Sequence, residues 1–228
     1  MKASPLVSAA AVLTFSALAH ATPGVGSFNT DAFNLSGALD RELPAVGTAV
    51  EAVVGGGYMQ GAGGAGDIGS VEDVTGAGGG LELQVGARVL PWLAVGVYGT
   101  LARFSRGDEL AEGTRVRAAT AGVQAVWHTR PSRSLDPWIS LGAGWRGLWL
   151  TPSGESASSL QGVELARVQL GIDYRFTRWL AIAPVIGASV TMFLAQNTAA
   201  TEDLMSLDDN RVNFYGFTGV VGRFDVGL

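Results

Sequence analysis

Two groups of residues have side chains that could do chemistry. The first is a set of carboxylates and arginines lodged in otherwise apolar segments: Glu51, Glu82, Asp173 and Asp225 with Arg88, Arg146, Arg167, Arg175 and Arg223. Charges of both signs in such surroundings imply ion pairing, because an unpaired buried charge costs several kcal/mol. The second is His128, the one histidine beyond His20. With a serine and an acid it could drive nucleophilic catalysis at the outer rim of an envelope protein. It stands instead beside an expected periplasmic turn and next to Trp127, an ordinary place for an imidazole near an interface. The chain has no cysteine, so thiolate metal sites and thiol nucleophiles are excluded. The glycine-rich stretches 55–66 and 76–80 lack the Gly-Lys-Ser/Thr of a phosphate loop. Arg106-Gly107-Asp108 is short enough to occur by chance, and Asp203 to Asp209 lacks the spaced oxygen ligands of a calcium loop. No catalytic residue, cofactor or metal is expected.

The elements that must hold these charges are legible as alternation. Leu81, Leu83, Val85, Ala87 and Val89 interleave with Glu82, Gln84, Gly86 and Arg88. A strand sends successive side chains to opposite faces, so one face is apolar and the other polar, whereas a helix would scatter them. Comparable runs follow from Leu93, from Ala119, from Ile139, from Val168 and from Leu180. Weaker ones near 46–59 and 212–228 bring the expected count to eight strands, each long enough for a tilted crossing of ~9 to 11 residues. Pro184 cannot donate to a ladder and is expected near a bulge or rim.

Charged residues make up only 15% of the chain and 33 residues are glycine, with a mean hydropathy of +0.28. That is too apolar for an ordinary soluble domain. No stretch beyond the N-terminus supplies the ~18 to 20 apolar residues of a spanning helix. Strands on a closed sheet are the other solution that lipid permits, since an open edge leaves backbone donors unpaired. Lys2, the apolar stretch from Pro5 to Leu18 and Ala19-His20-Ala21 read as a Sec-type signal peptide over 1–21. Residues 22–44 then form an extension, expected in the periplasm, and 45–228 the barrel. With Lys2 gone, fourteen arginines face twenty carboxylates, a balance of −6. No basic stripe suits nucleic acid.

Connectors alternate too: those after Leu90 and Phe176 are short and the one from Thr129 to Asp136, with Arg130 and Arg133, is moderate, while the opposite ones are longer and acidic. Barrels inserted from the periplasm carry short turns inside and long loops outside. Pro91-Trp92-Leu93, Pro137-Trp138-Ile139 and Arg178-Trp179-Leu180 recur at intervals of 46 and 41 residues, which puts all three at one end. Trp92, Trp138 and Trp179, with Trp127, are expected to form a girdle at the water–lipid interface.

With these strands, these tryptophans and the final Phe224-Asp225-Val226-Gly227-Leu228, the chain resembles the eight-stranded outer-membrane barrels of the OmpA-transmembrane-domain and OmpW-like group. The resemblance implies that Phe224, Val226 and Leu228 act as an assembly signal read by the barrel-assembly machinery; Leu228 stands where such families end in an aromatic residue. No peptidoglycan-binding domain is expected after the barrel, so the anchoring role of larger relatives is not implied. The expected protein is a monomeric, all-β, eight-stranded antiparallel up-and-down barrel of the outer membrane, in contact with membrane lipid and lipopolysaccharide. Its lumen is expected to be filled by the nine charges, and its role to be structural, or one of envelope maintenance or surface interaction, rather than enzymatic. A narrow pore, as in OmpW-like relatives, is the alternative. A soluble lipocalin-like barrel needs the apolar faces turned inward instead.

Overall fold

A computed structural model describes residues 49–64, 69–154, 157–197, 205–207 and 211–227. The signal peptide expected over 1–21, the extension over 22–44 and Leu228 lie outside these described residues. Among the described residues, nine strands form one antiparallel sheet: β1 Ala49–Gly63, β2 Thr75–Leu90, β3 Leu93–Arg106, β4 Arg115–His128, β5 Leu135–Thr151, β6 Ser158–Arg175, β7 Leu180–Asn197, the two-residue β8 Met205–Ser206, and β9 Val212–Gly227. Each long strand pairs with its neighbours in sequence, and β1 also pairs with β9 while β7 bridges β6 and β9. The eight long strands therefore close into an up-and-down barrel with no free edge.

Alternation decides which face is which. Outward positions carry Leu81, Leu101 and Val123, each about two-thirds exposed (68%, 67% and 65%). Inward positions carry Arg88, Arg175 and Arg223, each 2% exposed or less. A soluble ligand-binding barrel has the opposite arrangement.

Two local features break the period. In β6, pairing with β7 shifts between Glu164 and Ala166, so Leu165 and Ala166 both face outward and the inward set changes from even to odd numbers. In β7, Pro184 makes neither a bulge nor a rim, in contrast to the expectation. It sits outward within the strand, paired with Val220 of β9, while the β6–β7 pairing lapses between Gly171↔Val185 and Tyr174↔Ile182. The missing donor is accommodated by two absent rungs on one side.

At the long-loop end most of the large buried side chains are apolar. A single helical turn, α1 Val71–Val74, is started by Ser70. The Ser70 amide and hydroxyl donate to Asp73 Oδ2 at 3.0 and 2.7 Å, while the Asp73 amide donates back to Ser70 Oγ at 3.2 Å. This capping box holds the Asp73 carboxyl below its ordinary range, the Ser70 hydroxyl contributing most. It also fixes Val71 and Val74 over Phe104, Val116, Leu148, Leu160 and Phe193, all buried. The polar interior below is thus covered by an apolar cap.

Candidate functional site: the lumenal charge network

All nine charged residues expected in the lumen are buried there, and the register explains how they are compensated. At the short-turn end, Glu51 of β1 lies directly opposite Asp225 of β9, and Asp136 of β5 directly opposite Asp173 of β6. Like charges facing each other across strands repel, so each pair needs cations between its members. Arg223 supplies one, with Nη1 at 2.8 Å from Glu51 and Nε at 2.8 Å from Asp173. Arg88 pairs with Glu51, and Arg175 pairs with Asp225 while lying 3.5 Å from both Asp136 and Asp173. Ala181 stands between Arg175 and Arg223 in one row of the sheet, which leaves space for two guanidinium groups. Trp138 Nε1 donates to Asp173 at 2.8 Å.

Above this layer, Arg167 pairs with Glu82 at 2.7 Å. Gln169 donates to Glu82 at 3.0 Å, and Gln84 donates to Gln169 at 3.3 Å. Higher still, Arg146 pairs with Glu164 at 2.7 Å and donates to Ser189 at 3.1 Å. Tyr98 donates its phenol to Glu164. Three guanidinium groups also lie against aromatic rings: Arg146 over Tyr215 at 3.8 Å, Arg167 over Tyr98 at 4.3 Å and Arg223 over Trp138 at 5.2 Å. Away from water such contacts are each worth up to ~2 kcal/mol. Two interior cavities, one beside Arg146 and Glu164 and one beside Glu51 and Arg223, measure about 20 and 10 Å³. Each is of single-water size.

Three residues belong to this network that the sequence pattern did not mark. Asp136, the last residue of the connector expected from Thr129, lies within β5, which begins at Leu135. Glu164 lies before the bulge in β6, where simple alternation would point it outward; the consecutive apolar Leu165-Ala166 is the signal. His128 is not interfacial. The inward set Thr120, Gly122 and Gln124 continues through Val126 to His128, which is buried. Its Nδ1 lies 2.7 Å from Asp136 Oδ2, and Nε2 faces Glu51 at 3.7 Å rather than a serine. The pair resembles two members of a triad with a carboxylate in the nucleophile's position. His128, Asp136 and Asp173 are also close enough to share a metal ion, yet both carboxylates already face Arg175, and Asp173 binds Arg223 as well. A dication would have to displace those guanidinium groups.

The expected girdle also divides. Trp92 and Trp179 lie in the turns before β3 and β7 and are exposed, and Trp127 is half-buried on the outward face. Trp138 does not join them, being only 3% exposed and facing the lumen. The Pro-Trp repeat is the same, but β5 starts three residues before its tryptophan whereas β3 and β7 start one residue after theirs. Gly171, directly across from Trp138, makes room for the ring; a Cβ there would overlap the indole. Gly171→Ala is expected to destabilise the barrel by about 1–3 kcal/mol through overpacking. Gly216→Ala, with open space at its outward position, stays within about 0.5 kcal/mol. Urea midpoints of the two variants check this.

No protein-family model matches the sequence, and neither does any curated protein. Among solved structures, the chain is similar in fold to Neisserial surface protein A, with a TM-score of 0.52 and 14% identity over 78% of this chain and 98% of that one. Outer membrane protein AlkL in lipid bilayers aligns with a TM-score of 0.49 and 12% identity, over 82% of this chain and 94% of that one. Outer membrane protein OprG from Pseudomonas aeruginosa aligns with a TM-score of 0.45 and 12% identity, over 79% and 98%. At these identities the likeness is one of fold: the chain resembles the small eight-stranded outer-membrane barrels.

Proposed function

We infer that this chain is an integral barrel of the bacterial outer membrane with a filled lumen. It acts through its outer wall and long loops in a structural or surface-interacting role, without catalysis. The observation that carries this reading is the reversed polarity of the barrel: an apolar outer face around a charged interior. Only a hydrocarbon surround makes both halves favourable at once. Along β3 the outward residues from Leu93 to Leu101 are apolar or glycine, a height of roughly 20 Å at the usual strand tilt. Trp92, Trp127 and Trp179 border that band at the short-turn end, and Tyr58 and Trp149 at the other. Phe224 and Val226 face outward on β9, as an assembly signal for the insertion machinery requires.

The charge pairs and the apolar cap both support a closed lumen. In planar bilayers the purified barrel is expected to give no discrete conductance, while in gels it keeps the heat-modifiable mobility of a folded barrel. Conductance steps that change with Arg146→Ala or Glu82→Ala would establish the narrow pore instead.

A further inference from the structure

Not every arginine is in the lumen. Arg103 of β3 and Arg117 of β4 are directly opposed, both face outward, and Arg115 lies on the same face one outward position further along β4. Opposed like charges on neighbouring strands destabilise a sheet. Every lumenal arginine has a carboxylate partner. Among the described residues, Arg103, Arg115 and Arg117 have no ion-pair partner. These three outward guanidinium groups are free to donate charge-assisted hydrogen bonds to an anion outside the chain.

The position of the cluster identifies the anion. One row of the sheet runs Tyr58, Gly79, Arg103, Arg117, Trp149, so the two guanidinium groups lie between aromatic residues at the upper border of the apolar band. The next outward residues towards mid-barrel are Leu101 and Ala119. There an apolar trough of about 610 Å³ opens on the outer wall, lined by Leu81, Leu83, Leu101, Ala121 and Trp145 around Gly99. A second hollow of about 690 Å³ includes Tyr58, Arg103 and Arg115 on the long-loop side. Cations that accept bidentate phosphate, set directly above a groove suited to alkyl chains, match an amphiphile whose phosphate adjoins its acyl groups.

The geometry points to a binding site on the β1–β5 wall for a phosphorylated, acylated glycolipid of the outer leaflet, its phosphate held by Arg103 and Arg117 and an acyl chain in the trough. This rests on the outer-membrane reading above, which puts the long loops outside. The test uses the purified chain in phosphatidylcholine nanodiscs doped with bisphosphorylated lipid A or its dephosphorylated form, with retained lipid counted by native mass spectrometry. The wild type is expected to retain the bisphosphorylated form about tenfold or more over the other, the scale of one charge-assisted hydrogen bond. Arg103→Gln/Arg117→Gln abolishes that preference. Gly99→Leu, whose added Cβ has only Thr120 O near it at 3.6 Å, fills the trough and lowers retention of both forms.

Equal retention of the two lipids, or a double variant that binds like the wild type, overturns the proposal. So does full displacement by inorganic phosphate, which would indicate a simple anion site. Heat-modifiable mobility reads folding independently. Variants that insert normally without altering lipid preference sink this proposal alone, whereas a wild-type barrel soluble without detergent sinks the membrane reading with it.

Discussion

Val123→Arg is expected to destabilise the bilayer-inserted barrel by about 2–4 kcal/mol, or to stop its insertion, although it touches no interior residue. Val123 faces outward, midway along the apolar run of β4 between Ala119 and Trp127, and is 65% exposed. Against water, an exposed Val→Arg change on a strand falls within about 0.5 kcal/mol. Against hydrocarbon, the guanidinium must be desolvated or must drag water and headgroups inward, and the cost peaks at mid-depth. Ala111→Arg, at an exposed position in the connector between β3 and β4, serves as the control and is expected to be nearly neutral. Urea titration in lipid vesicles, read by gel mobility, measures both. A Val123→Arg barrel as stable as the wild type would remove the basis for the membrane reading, whatever the interior looks like.

The contrast between what the alternating pattern reveals and what it hides has one physical origin. Period two is a local property, so it assigns faces correctly wherever a strand is regular. That is why Glu82 and Arg88, or Asp173 and Arg175, fall on the lumenal side as expected. It fails where the backbone departs from regularity. The bulge after Glu164 reverses parity and hides the partner of Arg146. It also fails where a strand boundary moves: the early start of β5 turns Asp136 and Trp138 from connector and girdle into interior residues. Closure is less visible still. Which carboxylate meets which arginine depends on pairings such as Arg223 with Glu51, 172 positions apart. The outward arginines escaped notice for a different reason. Arg103, Arg115 and Arg117 lie at strand ends, and only the register of β3 against β4 brings Arg103 and Arg117 face to face.

That register also identifies the residue on which the interior depends most. Arg223→Met is expected to cost about 3–5 kcal/mol of unfolding free energy. Arg223 is 1% exposed and holds Glu51 and Asp173, each already opposed by another acid, Asp225 and Asp136 respectively. The layer contains four carboxylates, three guanidinium groups and one imidazole. Losing one guanidinium leaves four carboxylates facing two. Protonation of a carboxyl group relieves that excess, so the variant's deficit is expected to shrink as pH falls. Glu82→Gln/Arg167→Met provides the comparison, because it removes both members of a pair and leaves no net buried charge. Such replacements are often close to neutral. If the double variant proves as damaging as Arg223→Met, shape rather than charge compensation governs the lumen. If Arg223→Met costs less than about 1 kcal/mol, the median of an exposed pair, water reaches this layer and the filled lumen proposed above is untenable.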